Sequence, residues 1–213
     1  MTLPSEPVPL APSARLALPL VDQAPTTERA DAARNRAKLL EAAAALIKDQ
    51  GAEHLTMDAL AAAACVGKGT VFRRFGDRLG LLFAVLDRTE SEFQQAFMFG
   101  PAPLGPGADP VARLNAFGGA ALRHLHANMD VYLESDQQAS ARYNAAPRRV
   151  RARHVTMLLR AAGVEGDLEL LTGALLSTLD PAPVHHMLTE RGHTVERLEA
   201  GWCDLVARIT HRC

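Results

Sequence analysis

The pattern of apolar and polar positions is helical from Glu28 almost to the carboxy terminus. In the first helical stretch, apolar residues recur at spacings of three and four: Ala33, Ala37, Leu40, Ala44 and Ile47. This spacing predicts an amphipathic helix, which Gly51 ends. Two short helices follow at about 57–64 and 68–75, joined by Cys65-Val66-Gly67, and a long helix runs from Gly76-Asp77 to about Phe99.

The segment from Gly100 to Gly107 is rich in glycine and proline and predicts a loop. Beyond it, helices are predicted at about 109–128, 131–143, 147–162, 167–179, 181–190 and 194–211. No alternating run of strand length occurs in the sequence, so the predicted fold class is all-α.

The first 27 residues contain six of the 13 prolines, and this predicts a disordered arm over residues 1–27. No apolar run reaches the roughly 18 residues that cross a bilayer, so we expect no membrane association. The three cysteines, Cys65, Cys203 and Cys213, are too few and too far apart for a disulfide framework. A cytoplasmic location is therefore expected. Cys65 itself is expected to be a small buried residue in the turn, with an exposed redox-sensing thiol as the alternative.

The net charge of −1 argues at first against a nucleic-acid partner. The charge is not evenly distributed, however, because residues 28–78 carry nine Lys and Arg against seven Asp and Glu. Residues 79–213 carry 13 against 15. The basic excess in the first segment is too modest to establish DNA binding by itself.

The two short helices and their three-residue turn predict a helix-turn-helix over residues 56–75. Thr56 is placed to cap the first helix, and the small side chains of Ala61, Ala62 and Ala64 allow close crossing. Val66 and Val71 are predicted to fill the space beneath. The second helix then presents Lys68, Gly69, Thr70, Phe72 and Arg73 outward, where backbone amides and basic groups approach phosphate.

The segments 55–61 (LTMDALA) and 65–75 (CVGKGTVFRRF) resemble the TetR family of transcriptional repressors, and the similarity extends over about residues 31–92. The resemblance implies an amino-terminal DNA-binding domain at 31–92 and a helical ligand-binding and dimerisation domain at 93–213. It also implies the following DNA-contacting residues: Thr56, Gly67, Lys68, Gly69, Thr70, Phe72, Arg73, Arg74 and Arg78.

The sequence departs from the usual family pattern at three polar positions. Gly67 stands where Ser or Thr commonly caps the recognition helix, and Phe72 where a Tyr hydroxyl commonly meets a phosphate. Gly80 stands where a Glu commonly completes a capping box. Arg74 occupies a position where an aromatic residue or His is common, and it adds a charge that attracts phosphate.

The resemblance further implies a small-molecule effector and a homodimer. Apolar residues expected in the effector pocket, each also compatible with an ordinary core position, are Phe97, Phe117, Leu125, Met129, Met157, Leu158, Leu171 and Leu175. Residues expected at the dimer interface, through a four-helix bundle, are Leu175, Leu179, Leu198, Trp202, Leu205 and Ile209. For Trp202, burial in the core of one subunit is a near-equal alternative.

The remaining polar residues give no pattern of catalysis or metal binding. His185 and His186 are adjacent on a predicted helix and point about 100 degrees apart, so no metal site is expected, and no cofactor. The basic run at 148–153 is expected to be solvated or to form salt bridges between helices of a dimer.

The sequence therefore predicts a ligand-responsive regulator, a repressor released by its effector from a palindromic double-stranded DNA operator. One rival interpretation is a helical small-molecule-binding protein that has lost DNA affinity. The other is an enzyme that uses His124, His126, His185 or His186, although these residues show no acid-base or nucleophile spacing.

Overall fold

The computed structural model describes residues 26–135 and 146–210, and these residues form ten α-helices and no strand. The chain divides into two compact units, residues 1–35 and 36–213. The predicted disordered arm lies almost wholly outside the described residues. The predicted domain boundary at 92/93 falls inside the second unit and stays a prediction.

The helices agree closely with those expected from the hydrophobic pattern. The first five elements are α1 (Thr26–Gln50), a 3-10 turn (Ala52–His54), α2 (Met57–Ala63), α3 (Lys68–Phe75) and α4 (Arg78–Phe99). The rest are α5 (Pro110–Ala127), α6 (Met129–Glu134), α7 (Ala146–Ala161), α8 (Leu168–Ser177), α9 (Pro181–Thr189) and α10 (Val195–Thr210). Most of the helix predicted at 131–143 lies outside the described residues.

The buried face of α1 differs from the predicted one. Ala33, Ala37 and Ala44 are exposed, whereas Leu39, Leu40 and Ala43 are buried. Alanine is so frequent along this helix that its spacing alone does not distinguish the core side from the solvent side. The larger leucines mark the buried face.

Two hydrophobic cores lie within the second unit. The amino-terminal core is formed by residues of α1 to α4, among them Leu39, Leu60, Val71, Phe75 and Leu82, and by Val131 of α6. The carboxy-terminal core is formed by residues of α4 to α10, among them Phe93, Phe97, Phe117, Leu159 and Trp202. Helix α6 therefore supplies a side chain to the core beneath the helix-turn-helix.

Within the described residues, no helix is both long enough and apolar enough to cross a bilayer.

Candidate DNA-binding surface and ligand cavity

Helices α2 and α3 form the predicted helix-turn-helix. The hydroxyl of Thr56 accepts a hydrogen bond from the backbone N–H of Ala59 at 3.0 Å, as expected of an N-cap. Leu60, Ala61 and Val71 are buried between the helices. Fewer alanines lie at the contact between the helices than predicted, because Ala62 is exposed.

The expectation that Cys65 is buried was wrong. Cys65 has a positive φ of 53°, and its side chain is exposed. The turn needs a residue in the left-handed region there, and that backbone geometry points the thiol away from the core.

The outward face of α3 carries most of the residues expected to contact DNA. Lys68, Gly69, Phe72, Arg73 and Arg74 are exposed, with Thr70 half-buried beside them. A Cβ built on Gly67 or Gly69 meets no atom of the described residues within 4 Å, so the backbone at the start of α3 is open to a partner.

The sequence at the start of α3 removes one polar contact and supplies another. Gly67 makes no side-chain cap, which leaves the first amides of α3 without a capping oxygen from that residue. The ammonium of Lys68 lies 2.6 Å from Oδ2 of Asp58 on α2. Both side chains are largely exposed, so the pair remains accessible to a phosphate.

Arg78 differs from the other expected DNA contacts because its guanidinium faces the protein. It donates hydrogen bonds to the carbonyl oxygens of Leu55 at 2.9 Å and Ala52 at 2.8 Å, and to the carboxylate of Glu134 at 2.9 Å. Arg78, the first residue of α4, thus links this helix to the 3-10 turn region and to the end of α6.

Gly80 is explained by a close approach. Its N–H donates to the carboxylate of Asp77 at 2.7 Å, and a Cβ at this position would lie 2.1 Å from the carbonyl oxygen of Phe75. A glutamate cannot occupy this position unless the backbone shifts. The missing capping-box residue therefore reflects tight packing between α3 and α4.

A largely buried charged cluster, the Glu90 cluster, consists of Glu90 on α4, His124 on α5, Tyr132 on α6 and Arg151 on α7. Arg151 donates to both carboxylate oxygens of Glu90, and the Tyr132 hydroxyl donates to one of them. His124 Nε2 lies 3.3 Å from the same oxygen. One carboxylate thus ties together four helices.

The cluster fixes the charge state of its members. Burial by itself raises the pKa of Glu90, but the hydrogen bond from His124 and the charge of Arg151 outweigh it and lower the pKa to about 2. Burial and the neighbouring Glu90 carboxylate raise the pKa of Tyr132. At neutral pH the cluster therefore contains an ionised Glu90 and a neutral Tyr132.

Sequence reasoning missed this cluster. It expected the arginines at 148–153 to be solvated or to pair across a dimer, and for Arg151 and Arg148 this was wrong, since they pair with Glu90 and Asp180 of the same chain. Arg149 and Arg153 are exposed, as expected. The alternation of arginines along α7 was the available signal, because it places them on different helix faces.

A cavity of about 570 Å³ borders the cluster. Its wall includes Glu90, Tyr132 and Arg151 together with apolar side chains such as Phe83 and Leu179. Of the eight residues expected in an effector pocket, Leu125 lines this cavity.

The other seven residues expected in the pocket do not line this cavity. Buried members of the carboxy-terminal core are Phe97, Phe117, Met129, Leu158 and Leu175, while Leu171 is half-buried and Met157 is exposed. Between Phe97 and Phe117 lies His154, with ring centres 4.6 and 5.3 Å away. Burial and the charge of Arg113 lower the pKa of His154 to about 4.

The residues expected at a dimer interface also include both buried and half-buried side chains. Leu175, Leu179 and Trp202 are buried within the single chain, and Leu198, Leu205 and Ile209 are half-buried. Trp202 donates its indole N–H to the carbonyl oxygen of Leu114 at 2.9 Å and packs directly on Gly118, where a Cβ would lie 2.1 Å from the ring. These contacts favour the alternative of core burial for Trp202.

The exposed basic helix packed on a partner helix has the geometry of a helix-turn-helix. Residues 39–85 match the family described as bacterial regulatory proteins, tetR family. An HTH-type transcriptional regulator of Staphylococcus aureus is 35% identical over 69 residues, 32% of this chain and 37% of that relative's length. Residues 39–85 therefore form a TetR-family helix-turn-helix, which confirms the resemblance found in the sequence.

Solved structures show the same fold over most of the chain. The TetR-family regulator PfmR from Thermus thermophilus aligns with a TM-score of 0.56 and 22% identity, over 82% of this chain and 99% of that one. SmeT, the repressor of the Stenotrophomonas maltophilia multidrug efflux pump SmeDEF, aligns with a TM-score of 0.58 and 21% identity, over 81% and 88%. The helical carboxy-terminal region thus has the fold of TetR-family regulators.

Proposed function

We propose that this protein is a ligand-responsive transcriptional repressor that binds a palindromic operator as a homodimer. The observation that carries the proposal is the open start of α3. There, the bare backbone at Gly67 and Gly69 lies beside Lys68 on a helix whose inner face, with Val71 and Phe75, is anchored in a core. Backbone amides at a helix start bind phosphate, and the major groove accommodates an α-helix.

The dimer follows from the geometry of DNA. Two recognition helices read two half-sites when they lie about 34–36 Å apart, one helical turn of the duplex. The half-buried residues Leu198, Leu205 and Ile209 of α10 are the proposed contribution of this chain to the interface. Sedimentation at micromolar concentration tests this step, and a monomer there contradicts it.

The effector site of the proposal is the cavity of about 570 Å³. This volume lies within the roughly 300–1,000 Å³ that small-molecule sites occupy. Its wall includes Gly80, Phe83 and Glu90 of α4, and only Gly76 and Asp77 separate α4 from the recognition helix. SmeT supports the analogy, because it is described as a repressor and one of its solved structures is a complex with triclosan.

Release from DNA requires that the effector bind the low-affinity state more tightly than the DNA-bound state. The proposal assigns no reaction to the chain and needs no cofactor. A cytoplasmic location belongs to the same proposal, because operator DNA is there.

Fluorescence anisotropy with DNA from the region upstream of the protein's own gene tests DNA binding. We expect an affinity that falls as salt rises, and a loss of about tenfold or more in the double variant Lys68→Ala, Thr70→Ala. The matched control is Lys48→Ala, which removes the same charge from an exposed position at the end of α1. A DNA affinity that does not change with salt concentration contradicts the proposal, and so does a double variant that binds DNA as tightly as the control.

A second candidate function is a helical small-molecule-binding protein without DNA affinity. Three observations favour it: Gly67 makes no side-chain cap, Phe72 has no hydroxyl, and Lys68 is paired with Asp58. A library of palindromic duplexes distinguishes the two functions, since this candidate predicts that none is selected while a small molecule still binds.

A further inference from the structure

The charges in the wall of the cavity are not all compensated within the chain. Six charged residues line it: Arg36, Asp87, Glu90, Arg148, Arg151 and Asp180. Arg151 pairs with Glu90 and Arg148 pairs with Asp180. The low pKa of Glu90 keeps the first of these pairs ionised. This leaves Arg36 and Asp87 as the two charges that decide which ligand the cavity prefers.

The guanidinium N–H groups of Arg36 can donate hydrogen bonds to a ligand. Its guanidinium carbon lies over the Phe75 ring, 5.3 Å from the ring centre, in a cation–π contact. No ion pair joins Arg36 to a carboxylate in the part of the chain that the structure describes. A guanidinium in a cation–π contact still has a planar fork of N–H groups, which matches a carboxylate.

The charge of Asp87 has a smaller electrostatic effect inside the cavity than the charge of Arg36. Its side chain is exposed, whereas Arg36 is half-buried. Water screens an exposed charge more strongly than a partly buried one, so the positive charge dominates inside the cavity. The rest of the wall is largely apolar and includes Phe83, Leu125 and Leu179.

We propose that the cavity binds an amphipathic monoanion whose carboxylate pairs with Arg36 and whose apolar body packs on Phe83, Leu125 and Leu179. This inference rests on the proposed function, since it names the chemical class of the effector. It also gives Arg36 a regulatory role. A carboxylate that draws the guanidinium toward the cavity loosens its contact with Phe75, the last residue of the recognition helix.

The test is calorimetric titration of the full chain, free of DNA, with octanoate, octylammonium and octanol at neutral pH. These probes share one tail and differ in the charge of the headgroup. We expect octanoate to bind at least about tenfold more tightly than octylammonium, with octanol between them. Equal binding of the two charged probes, or no binding of any probe, overturns the inference.

Variants locate the preference. Arg36→Gln is expected to remove the roughly tenfold advantage of octanoate, and Arg36→Lys to retain part of it, because the charge remains while the planar fork is lost. Lys38→Gln is the matched control on an exposed position of the same helix, and it is expected to behave as wild type. An Arg36→Gln protein that keeps the full advantage overturns the role of Arg36.

Anisotropy on the selected operator separates this inference from the proposed function. If the protein binds operator and octanoate shows no preference over octylammonium, the ligand class is wrong and the repressor proposal stands. If octanoate is preferred but no duplex binds, DNA binding fails and the ligand class stands. When both hold, octanoate is expected to release operator at lower concentration than octanol does.

Discussion

The α3 surface and the Glu90 cluster are both built from charged side chains, yet they differ in almost every physical respect. On α3, Lys68 and its partner Asp58 are 65% and 60% exposed. In the cluster, Arg151 and Glu90 are 18% and 11% exposed. The first set keeps most of its hydration and the second has lost most of it.

This difference separates two uses of charge. An exposed ion pair contributes little to stability, so the α3 side chains are available to a phosphate at small cost to the fold. A buried charge destabilises the protein unless it is fully paired, and the partners of Glu90 come from three further helices. The cluster therefore fixes how α4 packs against the carboxy-terminal helices, while the α3 surface leaves the fold almost unaffected.

The largest expected effect comes from removing one partner of the buried pair. Arg151→Ala leaves the Glu90 carboxylate buried beside Tyr132 and His124, and we expect the free energy of unfolding to fall by about 3–5 kcal/mol. Urea denaturation followed by circular dichroism measures the loss. Arg208→Ala is the control, because it breaks an exposed pair with Asp204 and is expected to stay close to wild type. Equal effects in the two variants contradict the distinction between buried and exposed charge.

Arg78 is the residue whose assignment to the DNA surface or to the packing of the fold most needs a direct test. The resemblance assigns it to the DNA surface, whereas its hydrogen bonds point into the protein. We expect Arg78→Ala to lower the free energy of unfolding by about 1.5–3 kcal/mol, the usual range for hydrogen bonds of a charged group. Arg73→Ala, on the exposed face of α3, is expected to leave stability unchanged and to weaken operator binding.

The two measurements together decide the role of Arg78. If Arg78→Ala retains wild-type stability and weakens DNA binding as Arg73→Ala does, Arg78 belongs to the DNA surface after all. The salt dependence adds a second criterion, because losing one phosphate contact reduces the slope of log K against log salt by about one.

The two regions also differ in how far the sequence predicts them. The helix-turn-helix was predictable because its signals are local: Thr56 precedes α2, a three-residue turn follows, and basic residues lie within eight positions of the start of α3. The helices of the carboxy-terminal region were predictable for the same reason, since Pro110, Asp167 and Pro181 mark where they begin.

The Glu90 cluster was not predictable because its contacts are distant in sequence. His124, Tyr132 and Arg151 lie 34, 42 and 61 residues from Glu90. The residues expected in an effector pocket stay a prediction, and for another reason the sequence does not single them out. Apolar residues at helical spacing mark a buried face, but the same spacing serves a filled core such as Phe97 and Phe117 and a cavity wall such as Leu125.

The smallest expected effect concerns His154, a buried polar residue that belongs to neither set of charges. Its Nε2 is buried, and no hydrogen-bond partner for it lies among residues 26–135 and 146–210. Burial and Arg113 lower its pKa from 6.5 to about 4, so the unfolded chain binds a proton at a pH where the native state does not. Stability contributed by the neutral ring is therefore complete above pH 6.5 and is lost as the pH falls from 6.5 toward 4.

His154→Leu keeps a side chain of similar size between Phe97 and Phe117 and removes the titrating group. From pH 7 to pH 6, the free energy of unfolding of the wild type is expected to fall by about 0.7 kcal/mol more than that of the variant. Because the other histidines are common to both proteins, their titration cancels in this difference. Identical pH dependences in parallel urea titrations would show that His154 accepts its proton in the native state as well. The aromatic core around His154 would then accommodate a positive charge, whereas the charges of the Glu90 cluster are neutralised by pairing with one another.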